Sequence, residues 1–94
     1  MAVSAAEIEA VLRQALAPQR LQVTDDSHLH AGHAGAREGG HYGVAICSTR
    51  FNGLNRVARH RLVYDALAAQ MGRGIHALAV EARTPSEDGL EPGR

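Results

Sequence analysis

Apolar side chains recur near the start of the chain at Ile8, Val11, Leu12, Ala15 and Leu16, a spacing that lays one stripe along an α-helix. Ser4 and Glu7 precede the stripe with the S-x-x-E spacing of a capping box, and Pro18 closes it, so a helix is expected from Ser4 to about Leu16. The period then changes. Leu21 and Val23 alternate with Gln22 and Thr24 before Asp25-Asp26-Ser27, which predicts a short strand. Residues 27 to 40 hold four glycines and three histidines and follow neither period, as a long loop does. From His41 to Ser48 the alternation returns, with Tyr42, Val44 and Ile46 on one face and Gly43, Ala45 and Cys47 on the other. A turn at Phe51-Asn52-Gly53 leads to a second helical pattern from Asn55 to Met71, whose stripe is His60, Val63, Tyr64, Leu67 and Met71 and whose stop is Gly72 and Gly74. Ile75 to Ala82 predicts a third strand, with His76, Leu78 and Val80 opposed to Ala77, Ala79 and Glu81.

Two strands joined by a loop pair antiparallel, whereas a helix between strands returns the chain parallel to the strand it left. The expected fold is therefore α/β of the α+β kind, in the order α-β-β-α-β: a three-stranded mixed sheet with helices packed on one face. After Pro85 the chain is rich in Gly, Pro and acid, which sets the expected domain at 1–85 and a flexible tail at 86–94.

Composition narrows the function more than the fold. At 94 residues one domain is expected, and 17 of the apolar residues are alanine, so the core is thin. Ten Arg, with no Lys, balance ten Asp and Glu. A nucleic-acid binder usually carries a basic excess, and here the net charge is zero. The single cysteine, Cys47, allows no disulfide within the chain and no Cys-only metal cage. No apolar run approaches the ~20 residues of a membrane span. Met1-Ala2-Val3-Ser4 lacks a basic segment followed by an apolar one, so no membrane partner and a cytoplasmic setting are expected.

The candidate chemistry lies in the histidines. His28, His30, His33 and His41 fall within fourteen residues, and imidazole is the commonest metal ligand, yet a solvated polar loop would read the same way. With one cysteine set inside a strand, a loop that binds metal supplies an incomplete ligand set. His60, between Arg59 and Arg61 on the apolar stripe, reads as a fold residue. His76 opens the third strand, and Cys47, alternating with small residues, reads as core filler. There is no nucleophile elbow, phosphate loop or suitably spaced carboxylate pair, so the chain is expected not to be an enzyme. Arg50, Arg56, Arg59 and Arg61 form either a contact for phosphate or an acidic partner, or a solvated helix face.

Taken together, Thr24-Asp25-Asp26-Ser27-His28-Leu29-His30, Gly40-His41-Tyr42, Ser48-Thr49-Arg50-Phe51-Asn52-Gly53-Leu54, Arg59-His60-Arg61-Leu62-Val63-Tyr64 and Ile75-His76-Ala77-Leu78-Ala79 resemble the BolA family over roughly residues 5 to 85. The resemblance implies a class II KH-like fold, consistent with the element order above. It also implies a partner, a monothiol CGFS-type glutaredoxin, with which a 2Fe-2S cluster is shared. Glutaredoxin and glutathione supply thiolates, and the BolA-like chain supplies a histidine at the start of its last strand and a His or Cys from the loop between strands one and two. These roles map onto His76 and onto His30, with His33 the alternative to His30. No cofactor is implied for the isolated chain. The same resemblance implies a second reading, a DNA-binding transcriptional regulator contacting DNA through Arg56, Arg59 and Arg61. A structural homodimer of the free protein, without either activity, is a third reading.

Overall fold

A computed structural model describes residues 3–26 and 40–89. The elements are α1 (Ala5–Leu16), β1 (Arg20–Asp25), β2 (Gly40–Cys47), a 3-10 turn (Thr49–Phe51), α2 (Arg56–Ala66), α3 (Ala68–Met71) and β3 (Ile75–Arg83). They form one sheet in the order β1-β2-β3, with β1 antiparallel and β3 parallel to the central β2. The expected strand pairing is the observed one.

Ser4 caps α1 by accepting the Glu7 N–H at 3.0 Å. The capping box is only half made. Glu7 turns its carboxylate to Gln70 Nε2 at 3.1 Å and to Arg73, and these two hydrogen bonds hold its pKa below the ordinary carboxylate value. Its side chain thus joins the first helix to the segment just before β3. At the other end of α1, Ala17 adopts a left-handed φ of 44° and donates to the Arg13 carbonyl.

α1 buries Ile8, Leu12 and Leu16, one residue per turn, against Tyr42, Val44 and Ile46 from the core face of β2. Phe51, from the 3-10 turn, and Val63 and Leu67 complete the centre, all fully buried. Burying each such side chain contributes about 1.5–3 kcal/mol before chain entropy is counted. Ser48 is buried among them and donates to the Leu16 carbonyl at 2.7 Å, which anchors the end of α1 to the end of β2.

The second helical stretch differs from the expected single helix. It breaks at Leu67, whose backbone (φ −100°, ψ 17°) leaves the helical region while its side chain stays in the core. The short α3 that follows carries Gln70 to its hydrogen bond with Glu7. Tyr64, expected on the buried stripe, is 37% exposed, and its hydroxyl donates to the Leu78 carbonyl of β3 at 3.1 Å.

The chain does not leave the fold at Ser86, where the flexible tail is expected to begin. Thr84 and Pro85 are buried, Glu87 N–H donates to Thr84 Oγ1, and Asp88 N–H donates to the Thr84 carbonyl, so residues 85–89 form a turn against the body of the domain. Residues 90–94 lie outside the described part.

Candidate functional site

Two regions gather the residue types singled out by sequence. The first is the end of the sheet where β2 and β3 begin. There Gly40 N–H donates to the Gly74 carbonyl at 2.8 Å, and both glycines are required by close approach. A Cβ on Gly74 would come within 2.6–2.7 Å of Val3, and one on Gly40 within 2.5 Å of the Tyr42 ring. That ring cannot swing aside, because Tyr42 is buried and its hydroxyl donates to the Val3 carbonyl.

Immediately after this close approach the register shifts. Gly40 lies opposite Ile75, but His41 lies opposite Ala77, so β3 carries one extra residue, His76. A bulge of this kind re-aims a side chain out of the strand's alternation. His76 accordingly does not share the half-buried environment of Leu78, the face on which its spacing puts it. It is exposed, and its ring centroid stands 5.1 Å from that of His41, with the ring planes tilted by 46°. His41 is partly buried and its Nε2 is shielded from solvent.

Sequence alone counts His41 among four clustered histidines but assigns it no ligand role, and its nearness to His76 depends on the bulge, which strict alternation cannot foretell. The one signal available is that a parallel pairing sets the first residues of both strands side by side.

The same sheet end holds both described ends of the loop between β1 and β2. Asp25 pairs with Tyr42, and Asp26 N–H donates to the His41 carbonyl at 2.7 Å. His28, His30 and His33 themselves lie outside the described residues. Among the described residues no group of three or more His, Cys, Asp or Glu side chains is placed to hold a metal. Cys47 is six residues beyond His41 along β2, about 20 Å at the rise of an extended strand. It is buried, and burial followed by the neighbouring Asp88 pushes its thiol pKa up, away from the thiolate that ligates metal. The sheet end therefore presents imidazole, and this chain's thiol is out of reach.

The second region is a groove of about 530 Å³ beside α2 and the edge strand β3, lined by Arg56, Arg59, His60, Val80, Arg83 and Glu87 among others. Arg59 is the residue that organises it. Its guanidinium donates to both carboxylate oxygens of Glu87 (2.7 and 3.0 Å), to the Leu54 carbonyl (2.8 Å) and to the Ala82 carbonyl (3.2 Å). The hydrogen bonds from Arg59, then that from the Thr84 N–H, hold the Glu87 pKa down at about 2. Glu87 in turn raises the pKa of Arg59. Arg83 is likewise paired with Glu81. Of the three arginines read as nucleic-acid contacts, Arg56 and Arg61 are exposed, whereas Arg59 is committed to joining α2 to the turn after β3. His60 is partly buried on the groove wall and is not part of the hydrophobic core.

Comparison with known proteins agrees with this architecture. Residues 12–87 match the family model described as BolA-like protein. The chain is 43% identical over 82 residues to BolA-like protein 1 of Mus musculus, covering 87% of this chain but 58% of the mouse protein, less than two thirds of its length. It is 39% identical over 85 residues to the DNA-binding transcriptional regulator BolA of Escherichia coli, covering 89% of this chain and 79% of that one. Among solved structures it is similar to the BolA domain of SufE1 from Arabidopsis thaliana, with a TM-score of 0.80 and 39% identity, covering 92% of this chain and 99% of that domain.

Proposed function

Because the chain belongs to the BolA family, we propose that it is an adaptor that pairs with a monothiol CGFS-type glutaredoxin and shares a 2Fe-2S cluster with it, in cluster maturation and trafficking or in iron regulation. His76 is the ligand of the last strand, and His30, or His33 in its stead, is the ligand of the loop. Glutaredoxin and glutathione supply the thiolates. The reading places the adaptor in the cytoplasm. Among the described residues no helix is long and apolar enough to cross a membrane.

The observation that carries this reading is the mismatch at the sheet end. An exposed imidazole stands beside a second one where the loop leaves and rejoins the sheet, and Cys47 lies at the far end of β2 with its thiol pKa raised. The exposed imidazole of His76, even with one loop histidine, does not complete a coordination shell, so donors from outside are needed, and thiolates are the ligands that iron–sulfur clusters take. Replacing thiolate by His on one iron of such a cluster raises its potential, which gives the shared site a property that neither partner has alone.

The test is to mix the chain with a cluster-loaded monothiol glutaredoxin and follow visible absorption and circular dichroism. The mixed spectrum should differ from that of the glutaredoxin alone, and His76→Ala should return it to the glutaredoxin spectrum. His30→Ala and His33→Ala decide between the loop ligands. A spectrum that is the plain sum of its components for the unaltered chain would overturn the reading.

A second reading, a DNA-binding regulator, is favoured by the E. coli relative and by the exposure of Arg56 and Arg61 on α2. Specific duplex binding that weakens with salt and is reduced in an Arg56→Ala/Arg61→Ala variant would support it.

A further inference from the structure

We infer that His41 and His76 form a two-imidazole site that binds one borderline divalent transition-metal ion, of the Zn²⁺ class, in the isolated chain. The site shares His76 with the cluster reading but requires neither glutaredoxin nor a cluster, so the two fail separately.

The ring spacing fits a bridging ion. Two imidazoles on one tetrahedral zinc, each with a metal–nitrogen bond of about 2.0–2.1 Å, have ring centroids about 5 Å apart. The observed separation is 5.1 Å.

The pair is also held from beneath. His41 and His76 come from neighbouring parallel strands and owe their proximity to the register shift after Gly40, itself fixed by the Gly40–Gly74 hydrogen bond and by the buried Tyr42 and Val3 against those glycines. The backbone under both rings is therefore set before any ion arrives, which reduces the ordering cost of binding. His76 is exposed and gives the ion access, while the partial burial of His41 limits the freedom of its ring. Two imidazoles leave further positions on the ion open, as in zinc sites that keep exchangeable positions.

Binding is tested with Zn²⁺ alone on the full chain, reading the imidazole nitrogens by long-range ¹H–¹⁵N correlation and the affinity by competition with a colorimetric chelator. One ion per chain should shift the nitrogens of both His41 and His76. His41→Gln and His76→Gln should each weaken binding about tenfold or more, whereas a variant with His28, His30 and His33 all changed to Gln should stay within about threefold of the unaltered chain. Should His41→Gln fail to fold, the spectrum of the unaltered chain still decides. The inference is overturned if Zn²⁺ shifts neither ring or only one of them, or if the triple loop variant loses the binding.

Discussion

The start of the β2–β3 pair and the α2–β3 groove both collect nitrogen-bearing side chains, but the fold uses them in opposite ways. In the groove the charges answer one another: Arg59 is bound to Glu87 and to two carbonyls, and Arg83 to Glu81. The guanidinium of Arg59 covers the Ala82 carbonyl of the edge strand, as the Tyr64 hydroxyl covers that of Leu78, which blunts an edge that would otherwise invite pairing with another strand. At the sheet end the backbone is tightly determined, while the His76 side chain that it presents is exposed. A cluster of basic residues in sequence is thus a poor guide to binding. What separates the two regions is that Arg59 in the groove is taken up by a carboxylate and two carbonyls, whereas the sheet end holds the His76 ring exposed to solvent.

The largest expected effect comes from altering that backbone. Gly74→Ala places a methyl within 2.7 Å of the Val3 backbone nitrogen, which must move because it is not the end of a flexible side chain. Overpacking of this kind costs about 1–3 kcal/mol, equivalent to a fall in thermal midpoint of roughly 4–8 °C per kcal/mol in a domain of this size. Metal binding at the histidine pair should fall with it. Thermal denaturation together with a Zn²⁺ titration checks both, and full retention of binding would show that the close approach does not set the pair.

Arg59→Ala should do the converse. It removes hydrogen bonds that tie α2 to the turn after β3, an expected loss of about 1–2 kcal/mol by urea denaturation. Zn²⁺ affinity and the spectrum of the glutaredoxin mixture should not change. A loss of either would mean that the groove and the sheet end act together.

How far these regions can be read from sequence follows the same division. The strands, their pairing and α1 are legible because a change of period from 3.6 to 2 reports which face meets the core, and the crossover helix dictates a parallel return. Three features are not legible, each for a physical reason. The bulge that brings His76 to His41 depends on Gly40 and Gly74 meeting across a chain separation that no local pattern spans. Arg59 reads as one charge in a basic run, since its partner Glu87 is 28 residues away in a segment whose composition suggests a tail. Glu7 has the right spacing for a capping box, but Arg73 and Gln70 compete for its carboxylate from far along the chain.

A smaller effect, full above pH 4.5 and vanishing in acid, is expected of Glu87→Gln. The folded-state pKa of Glu87, about 2, lies below its ordinary 4.5, so the folded chain binds fewer protons there than the unfolded chain. The stabilisation is complete above pH 4.5 and is lost as the pH falls from there towards 2. Stability curves of the two proteins should therefore separate as the pH rises from 2 to 4.5, run parallel above that window and meet below it. Curves that are parallel throughout would show that the Arg59–Glu87 pair contributes nothing through its charge.

The smallest expected change in stability belongs to the residue on which most of the function is placed. His76→Gln alters an exposed side chain at a bulge and leaves the hydrophobic core intact, so its stability to urea should lie within about 0.5 kcal/mol of the unaltered chain. The same variant should abolish the altered spectrum with glutaredoxin and most of the Zn²⁺ affinity. Near-silent stability combined with failed ligation separates a binding residue from a structural one, because a ring that held β2 and β3 together would register in denaturation first. If His76→Gln destabilises the chain as much as Arg59→Ala does, the histidine pair is a piece of the fold, and the contrast between the two regions fails.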